Sequence, residues 1–222
     1  MLLALDTSTR VMGLAIYDGS RLLSEASWSC GDHHTVELAP AISDALQRCG
    51  LNASALKALG VAIGPGSFTG VRIGLALAKG MALAQHIPLV GIPTLDVLAV
   101  AQPLQEIPMA AVLQAGRGRL AVGWYRVVSG KWQLQGNYEM LDILSLAGRI
   151  QQPTRVCGEL TAEERQILKR ERKLVVLSSP AQSLRRAGFL AELAWRRWQT
   201  GKVDDPVTLS PIYLHIGEPI PG

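Results

Sequence analysis

Apolar residues open the chain as a short run, Met1–Asp6, which ends in the polar turn Thr7-Ser8-Thr9-Arg10. Val11–Asp18 and Ser20–Ser29 follow with the alternation of a half-buried strand, and Asp18-Gly19 between them reads as a hairpin turn. The period then changes. Leu38, Ile42, Ala45, Leu46 and Cys49 recur at three and four, which predicts a helix from an N-cap region at Thr35 to Gly50. Leu59–Ile63 is a short buried strand, and Gly64-Pro65-Gly66 a sharp turn. Ser67 or Thr69 opens a second helix that runs to about His86; Pro88–Ile92 is a strand, and Thr94 starts a third helix through Ala101. The order is βββαβαβα.

The remainder repeats that order. Met109–Gln114, Leu120–Val128 and Lys131–Glu139 read as strands, with a turn at Ala115–Arg119. Helices are expected at Asp142–Ile150, Thr161–Lys169 and Gln182–Gln199, and strands at Thr154–Cys157 and Leu174–Leu177. No residue-level repeat accompanies the repeated element order. A duplicated βββαβαβα is the pattern of the actin and sugar-kinase superfamily, so an α/β, actin-like fold in two lobes is expected by analogy of order. Ala101–Pro108 is the natural boundary. It divides the chain into an N-terminal lobe, 1–102, and a smaller second lobe, 103–222, whose last helix and tail are expected to pack back on the first.

Composition narrows the class. The chain has 222 residues, 48% of them apolar, enough for one large domain or two lobes with cores. Its most apolar stretch, Val71–Ile92, is broken by Arg72, Lys79, Gln85, His86 and Pro88, so no membrane span is predicted. The opening MLLALDTS has neither the basic region nor the cleavage site of a signal peptide. Cys30, Cys49 and Cys157 are far apart and odd in number, which reads as buried thiols of a reduced, cytoplasmic protein. Net charge is +4, unevenly spread: residues 111–200 hold 15 Lys/Arg against 7 Asp/Glu, a balance of +8. A polyanion would be steered there; a solvated basic surface accounts for the same numbers.

The candidate chemistry is sparse. Asp6-Thr7-Ser8 stands where actin-like ATPases place their first phosphate loop, and a carboxylate with small hydroxyls there can hold a metal near a phosphate. The glycine usual two residues after the Asp is Ser8, whose Cβ obstructs a phosphate, and a locally hydrogen-bonded turn explains the same residues. The string Gly64-Pro-Gly-Ser-Phe-Thr-Gly70 is not a Walker A loop, because Val71-Arg72 replaces Lys-Ser/Thr. Gly66, Gly70 and Gly74 instead share one helix face and permit close packing. That helix is apolar on two faces: Val71, Leu75, Ala78 and Ala82 on one, Ile73, Leu77, Met81 and Ala84 on the other. It needs two covers, its own sheet and either a neighbouring helix or a partner protein. His33-His34, His86 and His215 have no metal-ligand spacing, and no Ser/His/Asp or Cys/His signature is present.

LALDTST, the H-x-x-E-L-x-P of His34–Pro40, GPGSFTGVRIGLALAKG and Pro211–Leu214 together resemble the TsaB family, most strongly over residues 1–100. The resemblance implies an actin-like fold with a shortened second lobe. It also implies a scaffold subunit in synthesis of N6-threonylcarbamoyladenosine at position 37 of tRNA. Its implied partners are the catalytic paralogue TsaD, as a heterodimer, and the ATPase TsaE, with tRNA reached indirectly through the complex. A homodimer can replace the TsaD contact, and both are implied to use the first two helices. The interface residues are then expected at His34, Leu38, Thr69, Gly70, Val71, Arg72, Gly74, Leu75, Ala78, Lys79 and Ala82. Gly74→Leu would, on this view, abolish docking and leave the fold intact.

The resemblance also locates missing chemistry. The metal-binding H-x-x-x-H of TsaD-like proteins falls on Thr94 and Leu98, and the acid of a second-lobe Asp-Ala-Arg falls at Gln114 in Gln114-Ala115-Gly116-Arg117. No late Gly-Gly adenosine motif is present. The expectation is a non-catalytic subunit with no cofactor of its own, ATP or ADP being shared at a complex interface. Any direct nucleotide contact would fall on Asp6, Thr7 and Ser8. The alternative is an autonomous actin-like ATPase or small-molecule kinase, with Asp6 holding the metal and Thr7–Thr9 the phosphate.

Overall fold

The computed structural model describes residues 1–31, 33–170 and 173–214; the His215 end of the tail lies outside them. The chain forms two compact units, Met1–Val97 with Arg185–Ile212, and Leu98–Leu184 with the residues from Tyr213 on.

In the first unit, β1 (Leu2–Asp6), β2 (Val11–Tyr17) and β3 (Leu22–Ser29) are joined by short turns and pair antiparallel. β4 (Ala58–Ala62) and β5 (Leu89–Ile92) add parallel strands, giving the order β3-β2-β1-β4-β5. All of β1, β4 and β5 is buried, as parallel strands covered on both faces must be. One face carries α1 (His34–Arg48) and α2 (Phe68–Gln85) over Leu3, Leu5, Leu14 and Leu59. The other carries α6 (Ala187–Gln199), whose Ala187, Leu190, Ala191 and Ala194 meet Leu2, Ala4 and Ala15. This helix lies close because the sheet thins beneath it: a Cβ at Gly60 would sit 2.7 Å from that of Ala194. α3 (Thr94–Val100) follows β5.

In the second unit, β6 (Met109–Gly116), β7 (Arg119–Val128) and β8 (Lys131–Leu134) form antiparallel pairs, and β10 (Thr154–Gly158) and β11 (Val175–Leu177) extend the sheet in parallel. α4 (Ile143–Arg149) and α5 (Ala162–Arg170) contribute Leu146 and Leu168 to a core with Val112, Val122 and Val156. Thr161 and Glu164 form a capping box at α5: the Glu164 carboxylate accepts from Thr161 N at 2.7 Å, and Thr161 Oγ1 accepts from Glu164 N at 3.2 Å.

The duplicated βββαβαβα expected from the sequence is present, with two local differences. The strand expected over 131–139 is split: Gly136, at φ +75°, turns the chain, and β9 (Glu139–Leu141) returns to pair with β7. The last helix starts at Ala187 rather than 182, because Leu184 and Arg186 are extended. A side chain has to leave the helix there, as the site geometry makes plain. Among the described residues no helix is long and apolar enough to cross a membrane.

Cys157 is wholly buried, its Sγ 3.6 Å from Met109 Sδ, and burial pushes its thiol up to about 12. Alkylation of the native chain at pH 8, followed by mass spectrometry, is expected to label the part-exposed Cys49 and spare Cys157.

Candidate functional site

The turn after β1 is tied to several elements of the first unit by buried hydrogen bonds. Asp6, Thr7, Ser8 and Thr9 are all buried. Asp6 Oδ1 accepts from Ser8 N at 2.8 Å, the local turn its sequence allows. Asp6 Oδ2 accepts from Arg185 Nε at 2.8 Å, and Arg185 Nη2 also donates to Thr9 Oγ1 at 2.8 Å and to the Val11 carbonyl at 2.9 Å. The two side chains of this ion pair are 2% and 3% exposed. The guanidinium is therefore a buried counter-charge on Asp6.

Helix N-termini converge on the same turn. His34 Nε2, opening α1, lies 2.8 Å from the Thr9 carbonyl oxygen. Thr7 Oγ1 donates to the Gly70 carbonyl in α2 at 2.7 Å, and Ser67 N donates to the Ser8 carbonyl at 2.6 Å. Ser8 Oγ pairs with Thr94 Oγ1 of α3 at 2.8 Å, and Thr94 Oγ1 accepts from Gly64 N at 3.0 Å. Arg185 joins from the start of α6. Gly66, Gly70 and Gly74 press on this turn, so the close packing expected of them is against the chain's own Thr7 and Ser8. A Cβ on Gly66 would overlap the Ser8 carbonyl, on Gly70 that of Thr7, and on Gly74 the Thr7 hydroxyl.

That arrangement splits α2 in two. Gly70, Val71, Gly74, Leu75, Ala78 and Ala82 are buried in the unit, as are His34 and Leu38 on α1. Of the residues expected at a partner interface, Thr69 and Arg72 are exposed and Lys79 part-exposed. Of the second apolar face, Ile73, Leu77 and Met81 are half-buried against the core and Ala84 is exposed; the flank left open beside it carries Phe68 and Leu83, 56% and 54% exposed, with Ala76 and Gly80. The Arg72 guanidinium stacks 3.5 Å over the Phe68 ring, holding both side chains outward. Beside it an open groove of about 650 Å³ runs between α1 and α2, lined by Ile42, Leu46, Leu51, Leu77 and Met81 with Ser43 and Gln47 on the rim.

The remaining positions singled out by sequence have structural partners. Leu98 is fully buried. Gln114 Nε2 donates to the Glu164 carboxylate at 2.7 Å and to the Glu159 carbonyl at 3.2 Å, within the second unit. His33 Nδ1 lies 3.2 Å from the Cys30 carbonyl, and His86 is the left-handed C-cap of α2. Among the described residues no three of His, Cys, Asp and Glu come together. Arg185 is the residue that sequence reading missed. It lies 179 positions from Asp6, and its sole local signal is an Arg-Arg pair where the last helix lacks a capping side chain.

Known proteins are similar to this chain in sequence and fold. The family model of TsaD, tRNA N6-adenosine threonylcarbamoyltransferase, matches residues 29–153. The tRNA threonylcarbamoyladenosine biosynthesis protein TsaB of Bacillus subtilis is 29% identical over 75% of this chain and 74% of its own. Its Escherichia coli counterpart is 36% identical over 44% of this chain and 42% of its own, so that match spans less than half of the relative. The solved structure of YeaZ from Pseudomonas aeruginosa superposes with a TM-score of 0.78 at 26% identity, over 96% of this chain and 99% of that one. A ROK hexokinase from Thermus thermophilus, at TM-score 0.51 and 14% identity over 90% of this chain and 99% of its own, shares the actin-like fold alone. With the family model spanning more than half of its length, the chain belongs to the tRNA N6-adenosine threonylcarbamoyltransferase family, in its TsaB branch.

Proposed function

We propose that the chain is a non-catalytic subunit of tRNA N6-threonylcarbamoyladenosine synthesis, acting by docking to a TsaD-type catalytic subunit. The observation that carries this reading is the division of α2: one flank locked on the chain's own turn, the other apolar and uncovered beside the α1–α2 groove. Exposed apolar faces of this kind mark protein interfaces. The ion pair of Asp6 with Arg185 supports the non-catalytic part, since the carboxylate that would hold a metal already has a buried counter-charge. The names of the relatives supply the pathway. TsaE and a nucleotide at the complex interface belong to the same reading, and a second copy of this chain is the competing occupant of the face.

Reconstitution tests it. The chain is combined with TsaD, TsaE, ATP, threonylcarbamoyl-adenylate and tRNA; modified tRNA should form when the chain is present and not when it is left out. Ala76→Arg, on the uncovered flank, should weaken binding to TsaD by about 100-fold, a hot-spot effect, with an unchanged thermal melt. Product formation without the chain would sink the reading, and ATP turnover by the chain alone that is lost in Asp6→Asn would favour an autonomous enzyme.

A further inference from the structure

A second concave surface lies wholly within the second unit. Alternation along β7 puts Trp124 and Arg126 on one face of its sheet. The ladder sets Ala110 of β6 opposite Trp124, and Gln135 N donates to the Trp124 carbonyl at 2.7 Å. One step further along, Pro108 and Thr154 precede Met109 and Arg155, which are partners across β6 and β10. α4 covers this face only as far as Arg149, being 7 residues long. The sheet beyond its end stays open, as a groove of about 670 Å³ walled by Gly148, Arg149, Gln151 and Gln152. That volume falls in the range of about 300–1,000 Å³ typical of sites for small organic groups.

The lining has a definite chemistry. Its lining residues carry one indole, one phenol, two guanidiniums, three carboxamides and a threonine hydroxyl, and none is acidic. The indole is held in place: Trp124 Nε1 donates to Glu139 Oε1 at 2.6 Å, and Glu139 is bridged in turn by Arg149. A fixed aromatic ring accepts a base by stacking, carboxamides pair with base edges, and a guanidinium not already paired, here that of Arg126, pairs with phosphate. Arg126 is exposed and has no acidic partner among the described residues. Within the second unit, residues 111–184 hold 11 Lys/Arg against 6 Asp/Glu.

We infer that this groove binds an unpaired nucleotide, and that its source is RNA. The choice of RNA over a free nucleotide rests on the proposed role in tRNA modification. The groove itself does not involve the α1–α2 face, so its test can fail while docking stands.

The test is direct titration of the full-length chain, without partners, with tRNA and with a single-stranded RNA oligonucleotide at low salt. Both should bind saturably. Arg126→Glu should weaken binding about tenfold or more and lower the salt slope by about one. Arg117→Glu makes the same charge change in the turn at the other end of β7, and should alter affinity less than about twofold. Trp124→Leu should weaken binding by about fivefold or more through lost stacking. Adenosine monophosphate should bind far more weakly than the oligonucleotide. Absence of saturable RNA binding overturns the assignment, and so do equal losses from Arg126→Glu and Arg117→Glu. Adenosine monophosphate binding as tightly as RNA overturns RNA as the source.

Discussion

Arg185→Met is expected to destabilise the first unit by about 3–5 kcal/mol, the loss typical of removing one partner from a buried ion pair. Asp6 would be left almost fully buried without its counter-charge, and the Thr9 hydroxyl and Val11 carbonyl would lose a shared donor. For a chain of this length the melting temperature should fall by roughly 10 °C. The double variant Asp6→Asn with Arg185→Met removes both charges but keeps an acceptor for Ser8 N. It should recover at least half of the loss, because the penalty lies in the unpaired charge and not in the absence of the pair. Thermal or urea unfolding measures both. If the single and double variants melt together, charge pairing is not what holds this turn.

Gly74→Leu carries the second large effect, and it reverses the outcome expected from sequence. A Cβ at this position would overlap the Thr7 hydroxyl, which is itself held on the Gly70 carbonyl. Neither neighbour is the free end of a flexible chain, so the turn would have to move and would take the Asp6 network with it. The expected result is loss of more than about 4 kcal/mol, in the range reserved for core overpacking and broken buried networks. The chain should express poorly or unfold, and lose partner binding only as a consequence. Ala76→Arg, two residues on and facing outward, should do the opposite: an unchanged melt and lost docking. A folded, stable Gly74→Leu that fails to dock would place the interface on the glycine flank after all.

Much of the fold was legible from local pattern. The strands Leu2–Asp6 and Val11–Tyr17, α2 from its Ser67 cap and α4 from its Asp142 cap follow alternation, period and capping chemistry within a few residues. These signals depend on neighbours in the chain. The start of α6 did not follow them. Apolar period allowed helix from 182, but Arg185 is pulled out to Asp6, and a partner 179 residues away leaves no periodic trace. The split at Gly136 was hidden for a similar reason, since β9 is defined by its pairing with β7.

The candidate site shows the same division. The sequence alone determined that the Asp6–Thr9 turn, the glycines at 66, 70 and 74 and an apolar α2 are the unusual features of this chain. Its resemblance to a known family also implied that Ser8, Thr94, Leu98 and Gln114 stand where superfamily chemistry uses other residues. Tertiary structure decided which way these features face. Helical spacing makes two apolar flanks equivalent, and only the position of the Thr7 hydroxyl and carbonyl distinguishes the flank that must stay small from the one left open. It also decided that the charge beside Asp6 is the chain's own arginine, because a buried carboxylate is neutralised by whatever cation the fold brings within reach, however distant in sequence.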